Sequence, residues 1–448
     1  MSASIASGSD ATPLGVLVGP LDDLAPTPSR FAFDVAVVGL GYVGLPTALA
    51  FHAAGQRVLG VEVSADRVAA VRARAVDLLP SDRSRLDTAL TGPDTFALST
   101  DPRRLSAAAA ILVCVPTPVD EHLVPDLTAL AAACRTVAAN AVPGQLLVLT
   151  STSYVGCTRD LLIGPLRQRG YRPGDQVAVA FAPERIDPGN ARHPQEAVPR
   201  VVGGATPSCR RRALGLLAGY ADALHPVSSL ETAELTKLVE NTFRAVNIAL
   251  ANEFADIAGA LDLDVTEVID AAATKPFGFM PFYPGPGVGG HCIPCDPHYL
   301  LWQLRAARLP APVVEAAMGA VAARPRQVAR RAGEVLAECG RSIAGADVLL
   351  LGVAYKSGVS DVRESPAVEV ARYLRRAGAT VWFADPLVTA LDVDGTALRR
   401  VEAPHTHSWD LVIVHTAHAG QDTGWLAAQP LVLDATYRLR DLPGRRVV

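Results

Sequence analysis

Short apolar runs separated by glycine-bearing turns and helical stretches organise the first half of the chain. Residues 34–38 form one such run and end in Gly39-Leu40-Gly41-Tyr42-Val43-Gly44; an Ala-rich stretch follows to Ala54, then Gly55 and a second run, 57–63. Further runs at 110–115, 146–150 and 176–182 alternate with helical stretches, the pattern of strands buried on both faces of a parallel sheet with crossover helices. Between Glu231 and Asp262 no glycine or proline occurs before Gly259, and apolar residues recur at helical spacing (Leu235, Leu238, Val239, Phe243, Val246, Leu250, Phe254, Ile257, Ala258), which predicts one long helix. A Gly/Pro-dense loop, 276–297, follows. A run at 348–353, a helix at 367–377 and a run at 380–384 then predict a second, smaller α/β unit.

The expected fold is therefore α/β, with two Rossmann-like, doubly wound domains joined by a long central helix. Its expected parts are a flexible tail (1–30), a dinucleotide-binding domain (31–225), a central helical region suited to dimerisation (226–325) and a C-terminal α/β domain (326–448).

Composition narrows the partners. The 448 residues are 50% hydrophobic and 19% charged, ordinary for a globular protein, and 41 basic against 45 acidic residues give a formal charge of −4. Nucleic acid and anionic membrane are not expected partners, and apolar runs stop short of the ~18–20 residues a spanning helix requires. The first 30 residues lack the basic region of a secretory signal. Seven scattered cysteines, 114, 134, 157, 209, 292, 295 and 339, fit reduced thiols of a cytoplasmic protein. Lys237, Lys275 and Lys356 are the only lysines, which singles them out for sites needing a compact ammonium or a proton that can be lost.

The glycine motif follows a strand and opens a helix, with Glu62 at the end of the next strand. Gly39, Gly41 and Gly44 permit a tight turn and a close approach of pyrophosphate to a helix N-terminus, while the Glu62 carboxylate suits two ribose hydroxyls and repels a 2′-phosphate, favouring NAD over NADP. Arg67, just beyond, suits adenine or a phosphate. Downstream, Gly285-Pro286-Gly287-Val288-Gly289-Gly290-His291-Cys292-Ile293-Pro294-Cys295-Asp296 sets a thiol in a glycine loop with a carboxylate four residues on. Inward-facing amides there would favour an anion, and Cys292 suits a nucleophile. Cys292 and Cys295 also spell C-x-x-C, which leaves open a redox pair, half a metal site or a buried structural thiol. No second C-x-x-C exists, and no metal is expected.

The glycine fingerprint, the Cys292-x-x-x-Asp296 loop, Lys237-x-x-x-Asn241 on the long helix, and Tyr355-Lys356 followed by Asp361-x-Arg363-Glu364-Ser365-Pro366 together resemble the UDP-glucose/GDP-mannose dehydrogenase family. The segment Lys275-Pro276-Phe277-Gly278-Phe279-Met280-Pro281-Phe282-Tyr283 is most similar to its UDP-N-acetylglucosamine 6-dehydrogenase branch. The resemblance implies oxidation of the sugar C6 alcohol to a carboxylate with two NAD⁺, in a homodimer or higher homo-oligomer. It implies a thiohemiacetal and a thioester on Cys292, with Lys237 and Asn241 acting on the alcohol oxygen, Asp296 on the attacking water, Glu184 in thioester hydrolysis, and Thr152 on water or nicotinamide. NAD would meet Gly39, Gly41, Tyr42, Val43, Gly44, Glu62, Arg67, Thr117, Thr152 and Arg363. The UDP-sugar would meet Glu184, Arg185, Ile186, Lys237, Asn241, Arg244, Tyr283, Gly289, Tyr355 and Lys356. An ion pair with Arg185 is the plainer reading of Glu184. Pro188 stands where UDP-glucose-type relatives have a second Glu, and Asp434-Ala435-Thr436-Tyr437 departs from the usual acidic-Thr-Arg ending, whose contacts stay unassigned.

Overall fold

The computed structural model describes residues 30–92, 94–186, 195–290 and 292–448. The tail expected over 1–30 thus lies outside the described residues except for Arg30, as do Pro188 and His291. The chain forms two compact units, the first running through Thr117 and then Asp126–Lys237, the second comprising Pro118–Pro125 and Leu238–Val448.

In the first unit, strands β1 (Phe33–Val38), β2 (Val58–Val61), β3 (Phe96–Ser99), β4 (Ala108–Val113), β5 (Leu146–Leu149), β6 (Ala178–Phe181), β7 (Arg200–Gly204) and β8 (Leu224–Pro226) form one sheet in the order β3-β2-β1-β4-β5-β6-β7-β8. Every pairing is parallel except β6 with β7. Helices α1 (Gly44–Ala53), α2 (Ala65–Arg72), α3 (Pro80–Thr91), α4 (Thr128–Asn140), α5 (Gly164–Gln168) and α6 (Pro207–Leu217) connect the strands. Strands such as VLGV, LLVL and AVAF are buried at every position, because helices cover both faces of the sheet. In α1 every residue from Gly44 to Phe51 is buried, so this helix lies in the core rather than over it.

Helix α7 (Leu230–Ala260) realises the predicted long helix and runs across the unit boundary. Its packing inverts the simplest expectation. The buried face is built largely of Ala245, Ala249, Ala251, Ala255 and Ala258, whereas Leu235, Val239, Phe243, Leu250, Phe254 and Ile257 are exposed. Small residues let α10 (Pro312–Glu338) approach closely, with Ala249 against Ala317 and Val321, and the large side chains are left on the outer face.

Helices α8 (Val265–Ala273) and α9 (Asp296–Ala306) precede α10. The second sheet contains β9 (Asp347–Leu351), β10 (Thr380–Ala384), β13 (Arg399–Arg400), β14 (Leu411–Val414), β15 (Val432–Asp434) and β16 (Arg446–Val447), in the order β13-β10-β9-β14-β15-β16 and parallel throughout. A hairpin, β11 (Asp392–Val393) with β12 (Thr396–Ala397), follows β10, and α11 (Pro366–Arg376) crosses from β9 to β10. Among the described residues no helix is long and apolar enough to cross a membrane.

Candidate active site

The glycine turn of the first unit is shaped by what surrounds it. Gly39 has a left-handed φ of +87°, and a Cβ there would come within 2.6 Å of the Cys114 carbonyl oxygen; one on Gly44 would come within 1.8 Å of the Gly39 carbonyl oxygen. Gly41 has nothing within 4 Å in that direction. Two glycines thus allow the turn to close, and the third leaves its outer side open. The Leu40 peptide is held at both ends, its N–H donating to Glu62 Oε2 at 2.8 Å and its carbonyl accepting from Arg67 Nε at 2.9 Å. Glu62 Oε1 takes the Ser64 N–H at 3.1 Å. One amide on each oxygen leaves acceptor capacity on the carboxylate for a ribose diol. Among the described residues no side-chain cap closes the N-terminus of α1. A steric cradle, uncapped helix amides and an acid beyond β2 fit a dinucleotide. Arg67 is engaged with the loop, and Tyr42 reaches Asp77 at 3.3 Å while staying largely exposed.

Thr117 and Thr152 lie half-buried in the loops that follow the neighbouring strands β4 and β5. Ser151 Oγ stitches these loops together, accepting from Val115 N–H at 2.9 Å and donating to Val115 O at 2.7 Å. The start of α7 is fixed by Glu234, which accepts from Gly156 N–H at 2.6 Å and from the N–H and hydroxyl of Thr158 at 2.9 and 2.7 Å; burial pushes its carboxyl up from the ordinary value. Lys237, one turn further on, is buried.

Glu184 is buried, and its ion-pair partner is Arg200 rather than Arg185, with Arg200 Nη1 at 2.6 Å from Oε2. Oε1 accepts the N–H groups of Arg185 and Ile186 at 2.7 and 2.9 Å, and Gln195 Nε2 stands 3.4 Å from Oε2. Arg185 turns away and donates to Pro199 O at 2.7 Å. Arg200 is only 2% exposed and lies over the Tyr220 ring. Sequence reasoning missed it; the one available signal was an arginine opening an apolar run, Arg200-Val201-Val202.

In the second unit, Cys292 is exposed and starts a tight turn into α9. Its carbonyl accepts the N–H of Asp296 at 2.8 Å and that of Cys295 at 3.2 Å. Asp296 is buried and its Oδ2 accepts a short hydrogen bond from Asn241 Nδ2 on α7. Cys292, Asp296 and Asn241, spread over about fifty residues of sequence, are thus brought into one cluster. Cys295 is buried, and burial first, then the Asp296 charge, pushes its thiol up to about 12.

The glycines of the Cys292 loop serve packing more than amide presentation. A Cβ on Gly289 would come within 2.6 Å of Glu364 O and 2.7 Å of Tyr355 Cβ, and one on Gly290 within 2.9 Å of the Tyr355 ring. Gly290 donates its N–H to Arg363 O at 3.2 Å. The loop is therefore moulded onto the segment that carries Tyr355, Lys356 and Arg363. Tyr355 and Lys356 are half-buried after β9, and Arg363 forms a forked ion pair with Asp361, 2.7 Å at its shortest. Tyr283 donates to Asp270 at 2.7 Å. Arg244 is exposed on α7. Lys275, the remaining lysine, sits on the surface over the Phe277 ring at 5.1 Å.

Three domains of one family match in order: the UDP-glucose/GDP-mannose dehydrogenase family's NAD-binding domain over residues 33–219, its central domain over 231–320 and its UDP-binding domain over 349–440. The chain belongs to the UDP-glucose/GDP-mannose dehydrogenase family, a class of NAD-dependent oxidoreductases acting on nucleotide sugars. It is 33% identical over 388 residues to a UDP-N-acetyl-D-glucosamine 6-dehydrogenase of Pseudomonas aeruginosa, covering 86% of this chain and 90% of that protein. It is 35% identical over 359 residues to a UDP-N-acetyl-D-mannosamine dehydrogenase of Yersinia pestis, covering 76% and 82%. Among solved structures, a UDP-D-ManNAc dehydrogenase from Pyrococcus horikoshii superposes with a TM-score of 0.84 at 29% identity, covering 93% of this chain and 99% of that one.

Proposed function

We propose that the protein oxidises the C6 alcohol of a UDP-sugar, foremost UDP-N-acetylglucosamine, to the carboxylate through covalent adducts on Cys292. The observation that carries this reading is that an exposed cysteine, Cys292, and a buried carboxylate oriented by Asn241, Asp296, stand on one backbone turn. Bound NAD⁺, held by the Gly39–Gly44 turn and Glu62, supplies the hydride acceptor, one equivalent for each of two oxidations. Lys237 takes the alcohol proton and its ammonium balances the developing alkoxide, with Asn241 as a neutral donor one helical turn away. The Cys292 thiolate adds to the C6 aldehyde; the carbonyl π pair moves to oxygen and takes a proton, giving the thiohemiacetal. Loss of the C6 hydride and the hydroxyl proton leaves a thioester. Asp296 accepts a proton from water as it attacks, the C–S bond breaks, and the thiol is restored. Glu184, held by Arg200, Arg185 and Ile186, contributes to that hydrolysis by fixing the loop in which Arg185 and Ile186 meet the sugar. Tyr355, Lys356, Tyr283, Gly289 and Arg244 bind the nucleotide-sugar, and Arg363 and Thr152 serve the cofactor.

The choice of UDP-N-acetylglucosamine is supported by the Lys275–Tyr283 segment and by the P. aeruginosa relative. Residues 31–225 serve NAD, 226–325 the thiol chemistry and association, and 326–448 the UDP-sugar. The exposed apolar stripe of α7, Leu235 to Ile257, supports a homodimer formed on that face, and the composition supports a cytoplasmic enzyme. The test counts NADH formed per sugar consumed with UDP-GlcNAc, UDP-ManNAc, UDP-Glc and GDP-Man. Two NADH with UDP-GlcNAc, lost in Cys292→Ala, is the expected result. A single NADH would end the chemistry at the aldehyde, and turnover of a different sugar alone would overturn the substrate choice.

A further inference from the structure

The Cys292 loop begins at Gly285, and what holds that end is a buried arginine on α10. Arg324 is 1% exposed. Its Nε donates to Gly285 O at 3.0 Å, Nη1 to Asp256 Oδ1 at 2.9 Å and to Gln327 Oε1 at 3.2 Å, and Nη2 to the Tyr437 hydroxyl at 3.0 Å. Tyr437 in turn donates a short hydrogen bond to Val448 O. One guanidinium thereby ties the loop to α7, through Asp256, and to the segment Asp434–Tyr437. That segment is itself rigid: Asp434 is fully buried and accepts from the N–H and hydroxyl of Thr436 at 2.9 and 2.6 Å and from Leu439 N–H at 2.8 Å.

The adjacent residues complete the grip. Gly285 N–H donates to Asn252 Oδ1 on α7 at 2.9 Å, and a Cβ on Gly287 would lie 3.5 Å from Pro325 and 2.9 Å from Pro366. From Gly285 to Gly290 the loop is thus fixed at its first peptide by Arg324 and Asn252, in its middle by Pro325 and Pro366, and at its last amide by Arg363 O. Cys292 follows two residues later. Arginine suits this place because its planar fork serves several acceptors in fixed directions, whereas a lysine ammonium is a single point.

We propose that Arg324, with Asp256 and Tyr437, is a positioning group for Cys292, setting the loop so that the thiol meets the reacting carbon. The proposal rests on the reading of Cys292 as the nucleophile. It gives the Asp434–Tyr437 ending a task in place of nucleotide contact: Tyr437 buttresses the arginine.

The test uses full-length Arg324→Met, Arg324→Lys and Tyr437→Phe. Three quantities are measured for each: kcat and KM on whichever nucleotide sugar the wild type oxidises, NAD affinity, and the rate of Cys292 alkylation by iodoacetamide, followed on the Cys292 peptide. Arg324→Met is expected to lower kcat about tenfold or more, with KM and NAD affinity changed by less than about threefold, and to change the alkylation rate at least about threefold. Arg324→Lys should recover part of kcat, and Tyr437→Phe should move both readouts the same way by a smaller factor. Wild-type kcat and alkylation in Arg324→Met would overturn the proposal, as would a fall in Tm with the alkylation rate unchanged, which marks a merely structural residue. Should Arg324→Met fail to fold, an unchanged alkylation rate in Tyr437→Phe overturns it instead. If the wild type oxidises no nucleotide sugar, the functional reading falls on its own and the alkylation arm still decides this one.

Discussion

The two sheets solve one backbone problem in the same way and then part company at a single acid. In both, the first strand lies between the second and the fourth: Val38 pairs with Val61 and Val113, Leu351 with Ala384 and Val414. In both, a left-handed glycine leaves that strand, Gly39 donating its N–H to Val61 O at 2.9 Å and Gly352 to Ala384 O at 2.8 Å. The following amide then turns to the acid beyond the second strand, Leu40 N–H to Glu62 Oε2 and Val353 N–H to Asp385 Oδ2, each at 2.8 Å.

The difference is what else the acid holds. Asp385 Oδ1 accepts from Leu387 and Val388 N–H, and Oδ2 also from Ala354 N–H at 3.2 Å and His418 Nε2 at 3.2 Å. Burial pushes this carboxyl up, but hydrogen bonds from His418 and from the Val353 and Leu387 amides outweigh it and bring it down to about 2. All acceptor positions of Asp385 are consumed by the protein, whereas Glu62 keeps some free. A shared strand order therefore does not mean a shared ligand. In the second sheet the acid at this place is committed to the protein's own amides and to His418.

The strongest way to break this comparison is to put a methyl group at the shared glycine. In Gly352→Ala the new Cβ would meet Thr416 O at 1.8 Å, and in Gly39→Ala the Cys114 carbonyl at 2.6 Å, both at positive φ. Each should destabilise its own unit by about 3–5 kcal/mol, Gly352→Ala more. All four tryptophans, 302, 382, 409 and 425, lie in the second unit, so denaturation followed by their fluorescence should register Gly352→Ala and not Gly39→Ala. Equal shifts in that signal would show that the units do not unfold separately.

Next comes the acid itself. Asp385→Asn puts an amide nitrogen among donors and should cost about 2–4 kcal/mol of stability while NAD affinity holds. Glu62→Gln should weaken NAD about tenfold and cost less stability than Asp385→Asn, because each Glu62 oxygen holds a single amide and only one of the two is lost. Titration calorimetry with NAD and a urea melt of each variant separate the two; parallel losses in both assays would erase the distinction.

Much of this was legible in the chain because the signals are local. Apolar runs such as 146–150 mark buried strands, and the Gly39–Gly44 spacing with Glu62 marks the first turn. The second turn was not legible, since Gly352 lacks the G-x-G-x-x-G spacing and Asp385 reveals its role only through partners on other strands. Arg200, Arg324 and Asn252 were missed for the same reason, their acceptors being far away in sequence. The α7 periodicity identified a helix correctly but cannot state which face meets a neighbour, and alanines took the buried side. The glycines before Cys292 read as an anion cradle, yet their close contacts are with Tyr355 and Glu364, again distant in sequence.

Acid should separate the units more gently. His415, directly after β14, is fully buried, and burial pushes its imidazole down to about 4 against an opposing pull from Asp385. Its folded value lies below the ordinary histidine value, so the unfolded chain takes up the proton first. The contribution of His415 to the stability of the second unit should be full above about pH 6.5 and fall as pH drops toward 4, by up to about 1.4 kcal/mol per pH unit. His415→Leu should flatten this limb of the tryptophan-detected melt; an unchanged slope would exclude His415 as its source.

The mildest variant tests the open side of the first turn. Gly41 has no atom within 4 Å where a Cβ would stand, and its φ is not left-handed. Gly41→Ala should therefore fold with unchanged stability, in contrast to Gly39→Ala two residues away. The same methyl group would stand where pyrophosphate must approach the amides of α1, so NAD affinity should fall about tenfold or more. Titration with NAD beside a thermal melt reads both. A stable variant with wild-type affinity would mean that the open side of Gly41 is not the face the cofactor uses.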